Sequence, residues 1–175
     1  KEDSSDVVLS AVEVGLDMKL NKFTDGHVLL LYEDDDTEEF TVDEGTITMT
    51  GPYGEFLTAG KMYVPFGVFN SHFISDPQTL ELGETNESAL MTGVGSDMYR
   101  FSVGAFNGDI GERGDDDKVD DYFAALEVTP AEGISFGASW ISDIADTDAD
   151  IAVEFYNIST NDTGISDTVA GYSAF

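Results

Sequence analysis

Long runs in which apolar side chains occupy every second position are the feature that most constrains this chain. Between residues 8 and 20, Val12, Val14, Leu16 and Met18 alternate with small or charged residues. The same period of two recurs in most of the later segments. Because this period places successive side chains on opposite faces of a strand, it predicts β-strands with one apolar face each.

The alternation predicts about ten strands and almost no helix. They cover residues 7–20, 27–33, 40–50, 55–66, 88–95, 98–107, 121–129, 133–142, 150–157 and a last segment from about 167. Globular strands are most often about five or six residues long, whereas a tilted strand needs about 9–11 residues to cross a bilayer. Strand length therefore favours an all-β fold, an antiparallel transmembrane up-and-down β-barrel whose apolar positions face lipid and whose other positions face a wet lumen.

The connections between these strands alternate in length. Short ones cover 21–26, 51–54, 95–97 and 129–133, and longer ones cover 33–39, 67–87, 108–120 and 143–150. Short turns at one end and long loops at the other are typical of outer-membrane barrels. We expect the loop 67–87 to fold inward as a constriction, and the loop 108–120 to be a long acidic loop at one rim.

Charge and composition exclude several classes of protein. Lys+Arg 7 against Asp+Glu 36 gives a net charge of -29, which argues against a nucleic acid partner. Disorder is opposed by 41% hydrophobic and 11% aromatic residues, and the absence of cysteine excludes disulfides and thiolate metal sites. No basic and then apolar leader stands at the start, so we expect any export signal to lie outside this sequence.

Three short motifs carry a resemblance to a known family. They are GKMYVPFG at 60–67, FNSHFISDP at 69–77 and TLELGET at 79–85, supported by GHVLLLYE at 26–33, FNGD at 106–109 and ISDIAD at 141–146. Together they resemble the LbtU-type siderophore porin family of bacterial outer membranes. The resemblance implies a barrel in the outer membrane, lipid and lipopolysaccharide as its surroundings, and ferric siderophores as the substrate class.

Members of that family form larger barrels, which implies that residues 1–175 are one β-barrel domain forming the N-terminal part of a larger barrel. The end of the chain agrees with this expectation, because Gly171–Phe175 lacks the alternation of a closing strand. We therefore expect closure to come from further strands or from a partner, and association into oligomers is possible.

The strand faces predict three sets of residues. Pore-lining residues are Glu13, Asp17, Lys19, Lys61, Tyr63, Arg100, Glu127 and Glu154. Lipid-facing residues are Tyr99, Phe101, Tyr122, Phe136 and Trp140. His72, Asp76, Glu81 and Glu84 are candidates for the constriction, where they could line the narrowing or touch iron. For His72, a hydrogen bond within a packed loop is the favoured interpretation. The lumen cations could guide an anionic ligand, although the many carboxylates oppose strong anion selectivity.

The acidic loops raise the possibility of bound cations. Asp115, Asp116 and Asp117 are weak candidates for Ca²⁺, because hard cations prefer oxygen ligands. Divalent ions could also bridge such carboxylates to lipopolysaccharide phosphates. None of the acidic runs has the full Asp-x-Asp-x-Asp-Gly loop, so solvated loops that set the local potential are the favoured interpretation. We expect no other cofactor.

Two other functions compete with a channel that passes small solutes. An enzyme is not expected, because His27 and His72 are the only histidines and no Gly-x-Ser-x-Gly or phosphate-binding loop occurs. The stronger alternative is a soluble or surface acidic β-protein, such as a halophilic or divalent-cation-binding matrix subunit. That alternative explains the net charge directly.

Overall fold

Nine strands form in the part of the chain that the computed structural model describes, which is residues 9, 11–33, 40–67, 83–108, 119–147 and 169–175. The strands are β1 (Ala11–Asn21), β2 (Thr24–Glu33), β3 (Phe40–Thr50), β4 (Glu55–Tyr63), β5 (Asn86–Gly95), β6 (Tyr99–Phe106), β7 (Asp121–Ala131), β8 (Ile134–Ile141) and β9 (Gly171–Ala174). No helix within these ranges is long and apolar enough to cross a membrane.

Each strand pairs antiparallel with the next one along the chain, so that a single sheet runs in the order β1 to β9. The predicted all-β, antiparallel, up-and-down arrangement is therefore confirmed. The sheet is open, because β1 and β9 each pair with one neighbour only among the described residues. The strand predicted at 150–157 lies outside those residues. Strand β4 ends at Tyr63 rather than at residue 66, because the chain leaves the sheet there.

The two ends of the sheet differ. At the turn end, short hairpins join β1 to β2, β3 to β4, β5 to β6 and β7 to β8. Gly54 and Gly133 take positive φ angles of 89° and 77° in two of these turns, a conformation that glycine adopts without steric cost. At the loop end, the described strands are separated by residues 34–39, 64–85, 107–120 and 142–170, much of which lies outside the described residues. Among the described strands, short and long separations alternate as predicted.

The pairing registers divide the strand residues into two faces. Directly paired residues share a face, so the pairs Val103 with Ala124 and Ala124 with Trp140 define an apolar face. The exposed large hydrophobic residues on that face include Val12, Val14, Leu16, Met18, Phe40, Val42, Ile47, Met49, Tyr63, Leu90, Tyr99, Phe101, Val103, Tyr122, Leu126, Phe136 and Tyr172. The opposite, polar face carries mainly glycine, serine, threonine and charged side chains.

The strand ends are staggered in a regular way. A row of directly paired residues starts at Ile141 in β8 and crosses to β1 through Phe123, Gly104, Met91, Thr58, Thr48, Asp25 and Lys19. Ile141 is at the loop end of β8, but Lys19 is eight positions beyond Ala11, the loop end of β1. Eight residues correspond to about 27 Å along a strand, and seven strand spacings to about 34 Å across the sheet. The line through the loop ends of the strands marks one rim of the sheet. The strands are therefore tilted by about 39° from the direction perpendicular to that rim.

The described part of the chain has a small hydrophobic core, and this core lies on the polar face near the loop end. Phe106, Phe123 and Ile141 are almost completely buried there, with Met62, Ala89 and Met91 around them. Gly104 makes room for this cluster, because a Cβ atom at that position would lie 2.3 Å from the Phe123 ring. The tight fit explains why small residues alternate with aromatic ones on this face.

A glycine substitution pair tests the close approach of β3 and β4. Gly60 has a φ of 133°, and a Cβ atom there would lie 2.0 Å from the carbonyl oxygen of Gly45. We expect Gly60→Ala to lower the free energy of unfolding by roughly 3 kcal/mol, because strain and a backbone clash add together. Urea titration followed by the fluorescence of Trp140, the single tryptophan, measures this loss.

Gly133→Ala is the matched control for Gly60→Ala. Gly133 also has a positive φ, but nothing lies within 4 Å of the point that a Cβ atom on this residue would occupy. The strain alone should cost about 1–2 kcal/mol. Equal losses for the two variants would contradict the close approach of the two strands.

Candidate functional site

The polar face holds five of the eight residues predicted to line a pore. Glu13, Asp17 and Lys19 alternate along β1, while Arg100 and Glu127 are directly paired across β6 and β7. All five side chains are exposed. Glu154 lies outside the described residues. That these five line a solute path stays a prediction.

Lys61 and Tyr63 lie on the opposite, apolar face, so they cannot line the same lumen as Arg100. Lys61 pairs with Gly45 and Ser88, and Tyr63 pairs with Asn86, all on the apolar face. The prediction that these two residues share a face with the other predicted pore-lining residues is therefore wrong. Both parities of β4 contain apolar residues, and only the register with β3 and β5 decides which parity faces which side.

A small polar cluster surrounds Tyr63 at the loop end of the apolar face. The Tyr63 hydroxyl donates to the Asp43 carboxylate at 3.1 and 3.2 Å, and Asn86 Nδ2 donates to Asp43 Oδ1 at 2.9 Å. Lys61 Nζ donates to the carbonyl oxygen of Val42 at 3.4 Å. These polar groups sit at the rim of the apolar face rather than at its centre.

All five residues predicted to face lipid lie on the apolar face. Tyr99, Phe101, Tyr122 and Phe136 are exposed, and Trp140 is half-buried. Lipid contact itself stays a prediction. Six aromatic side chains of this face lie at or next to the loop end of their strands: Tyr32, Phe40, Tyr63, Tyr122, Trp140 and Tyr172.

A short segment, Val64–Gly67, crosses the polar face from β4 to β8; we name it the strap. Its first amide, Val64 N, donates to Thr85 O at 2.7 Å, and its last, Gly67 N, donates to Ser139 Oγ at 2.9 Å. Phe66 is buried, and Gly171 in β9 leaves room for its ring. Ser139 Oγ also lies 2.6 Å from Ser173 Oγ, so the anchor extends to β9.

The strap requires the sheet to curl toward the polar face. Four strand spacings separate β4 from β8, which is about 19 Å in a flat sheet. Four residues from Tyr63 to Gly67 extend at most about 14 Å. A hydrogen bond from Phe66 N to Val64 O shortens the strap further. The polar face is therefore concave at the loop end.

The predicted constriction loop 67–87 begins directly after the strap. His72, Asp76 and Glu81 lie outside the described residues, and Glu84 is exposed beside the buried Thr85. The chain already crosses the polar face from Val64 to Gly67, before most of the predicted loop; whether the loop itself forms a constriction stays a prediction. The alternation over residues 55–66 predicts Val64 and Phe66 on the lipid side, but both cover the hydrophobic core of the polar face.

Paired charges line the polar face near the turn end of β1 and β2. His27 Nδ1 lies 2.7 Å from Asp17 Oδ1, and Lys19 Nζ lies 2.7 Å from Asp25 Oδ1. With Thr46 and Thr48 they line a cavity of about 350 Å³. Sequence reasoning does not single out His27, because its partner is ten residues away on a neighbouring strand.

Three carboxylates converge at the loop end. One oxygen each of Asp120, Asp121 and Asp146 lie within 4.8 Å of one another. Ser142 Oγ donates to Asp121 Oδ1 at 2.8 Å and accepts from Tyr122 N at 2.8 Å. Such oxygen donors suit Ca²⁺ or Mg²⁺, which would offset the repulsion between carboxylates.

The carboxylate cluster differs from the predicted cation site. Asp115, Asp116 and Asp117 lie outside the described residues. Asp121 and Asp146 come from either side of the β7–β8 hairpin, and only the antiparallel pairing brings them together. Local sequence could not reveal that contact, because Asp121 and Asp146 belong to two separate acidic segments.

No family model matches this chain, and neither the curated proteins nor the solved structures contain a match.

A serine substitution pair tests the anchor of the strap. Ser139→Ala removes the acceptor of the Gly67 amide, and we expect it to cost about 1–3 kcal/mol because a partly buried donor loses its partner. Exchange of the Gly67 amide hydrogen with solvent should become faster. Hydrogen exchange measured by NMR and a urea titration give the two quantities.

Ser135→Ala is the control for this anchor. Ser135 lies on β8 like Ser139, and its hydroxyl contacts that of Thr129 in β7 at 3.1 Å, at the exposed turn end. Its loss should change stability by less than about 0.5 kcal/mol and leave the Gly67 amide protected. Unchanged Gly67 protection in Ser139→Ala would show that the strap is held elsewhere.

Proposed function

We propose that this chain forms part of the wall of a porin-like channel in a bacterial outer membrane, through which small solutes pass along the polar face. Ferric siderophores are the substrate class that the motif resemblance implies. The observation that carries this proposal is the division of one long sheet into a continuous apolar face and a polar face.

Exposure of the apolar face to water would be energetically unfavourable. Leu16, Ile47 and Leu90 are each more than half exposed in the middle of their strands. Monomeric soluble proteins rarely expose contiguous apolar patches larger than a few hundred Å². Lipid solvates such a surface, while the ladder hydrogen bonds satisfy the backbone within the sheet.

Two geometric features support a membrane setting. The tilt of about 39° agrees with the 35–45° of transmembrane barrels. The six aromatic side chains at the loop end of the apolar face occupy the position of an interfacial aromatic girdle. Pairing of the open edges of β1 and β9 would complete the barrel, because unpaired backbone groups are costly in lipid.

The polar face supplies what a water-filled path needs. Glu13, Asp17 and Arg100 lie on this face within their strands, and Thr46 and Thr48 line a cavity together with Asp17. The strap narrows the same side at the loop end. A channel that combines a hydrated wall with a local constriction can select solutes by size and charge.

An acidic soluble or surface β-protein is the second candidate. The net charge of -29 and the Asp120, Asp121 and Asp146 cluster favour it, because both suit a surface surrounded by cations. In that case the apolar face would be covered by another protein layer instead of lipid. The two candidates differ in whether the purified protein needs detergent.

Adjacent residues of β7 test the proposal. Leu126 lies on the apolar face and Glu127 on the polar face. We expect Leu126→Lys to weaken folding into vesicles by about 2–4 kcal/mol, because a cation would have to enter lipid. Heat-dependent migration on an SDS gel, which reports a folded barrel, should be lost or reduced.

Glu127→Lys is the matched control, since it places the same side chain on the polar face and should keep the heat shift. A wild-type protein that is water-soluble without detergent and shows no heat shift would overturn the channel proposal. Equal sensitivity of the two positions would contradict the assignment of the faces.

The strap makes a prediction about conductance. We expect Phe66→Ala to raise the single-channel conductance in a planar bilayer, because loss of the buried ring removes the packing that holds the strap across the polar face. It should also lower stability by about 3–5 kcal/mol. Phe136→Ala, on the apolar face, should leave conductance unchanged. An unchanged conductance in folded Phe66→Ala would mean that the strap does not narrow the path.

A further inference from the structure

A stack of three residues fixes one arginine on the polar face near the turn end. Arg100 Cζ lies 4.0 Å from the centroid of the Phe56 ring. Phe56 is buried and lies above Gly93, where a Cβ atom would come within 2.7 Å of the ring. The glycine therefore admits the ring, and the ring supports the guanidinium by a cation–π contact.

Arg100 differs from the other described cations. Lys19 is neutralised by Asp25 at 2.7 Å, Lys61 lies on the apolar face, and Lys22 lies in a turn over the Phe23 ring. Within the described part of the chain, Arg100 has no ion pair. Its N–H groups therefore stay available to an incoming acceptor, and their fork geometry matches a carboxylate.

The space in front of Arg100 has the size and lining of a small-molecule site. A cavity of about 420 Å³ is lined by residues that include Arg100, Phe56, Thr48, Thr50, Asp97 and Glu127. A volume of this order is within the usual range for ligand pockets. The cavity thus offers one fixed cation, two acceptors and several hydroxyls.

This lining selects among ligands. A simple anion can pair with Arg100, but the nearby carboxylates of Asp97 and Glu127 repel it. A hydroxylated carboxylate meets all the groups, because its carboxylate can pair with Arg100 while its hydroxyls donate to Asp97 and Glu127. A neutral sugar lacks the first of these contacts.

We propose that the Arg100 cavity is a binding subsite for small hydroxylated carboxylates on the solute path. The inference deepens the proposed channel function and rests on it only for the statement that the cavity lies on the solute path. The binding step needs only the cavity itself, so it can be tested independently of conduction.

Calorimetric titration of the purified full chain with gluconate and with glucose tests the subsite. The two probes share their hydroxyls and differ in the carboxylate. We expect gluconate to bind the wild type more tightly than glucose, and Arg100→Gln to weaken gluconate binding about tenfold, the loss of one charge-assisted pair. Glucose binding should not change.

Lys61→Gln is the matched control, because it removes one positive charge from the apolar face. It should leave gluconate affinity at the wild-type value. Arg100→Lys keeps the positive charge but lacks the forked N–H groups of the guanidinium, so its gluconate affinity should lie between those of the wild type and Arg100→Gln. This variant also tests the subsite if Arg100→Gln does not fold. Circular dichroism confirms the strand content of each variant.

The outcomes separate the two proposals. Absence of gluconate binding to the wild type, or wild-type affinity in Arg100→Gln, would overturn the subsite. An equal loss of gluconate affinity in Lys61→Gln would show that only the net charge of the protein matters, and this result would also overturn the subsite. Gluconate binding that depends on Arg100, in a protein that forms no conducting channel, would keep the subsite and overturn the channel.

Discussion

The register of the antiparallel pairing decides which side chains share a face of the sheet. Each pair of neighbouring strands must align so that their apolar positions share a face, since a slip of one residue would move every side chain to the other side. Eight successive pairings obey this condition with only local irregularities. The two faces, the tilt of the strands and the position of every candidate site follow from it.

The polar face is also where the described part of the chain has its core, which is unusual for a sheet with so apolar an opposite face. Phe106, Phe123 and Ile141 pack there, where Gly104 makes room for the Phe123 ring, Gly171 makes room for Ile141, and the strap covers the cluster. The bond from Gly67 to Ser139 joins β4 to β8 and thereby holds the curl of the sheet. Stability and constriction thus depend on the same short segment.

Several features of the fold could be predicted because they are local. Strand positions, the alternation of turn lengths and the faces of Phe101 and Arg100 follow from a period of two along single strands. The faces of Lys61 and Tyr63 could not be predicted, because β4 has apolar residues on both parities. The contacts of Asp121 with Asp146 and of Phe56 with Arg100 join distant strands, and no local pattern encodes them.

Alternation along the chain is enough to specify long, two-faced antiparallel strands, since it acts residue by residue through backbone geometry. The face of each β4 parity, the crossing of the strap, and the position of Arg100 over Phe56 without an ion pair among the described residues emerge only in the folded sheet. These features depend on register and curvature across several strands, which neighbouring residues in one strand do not specify.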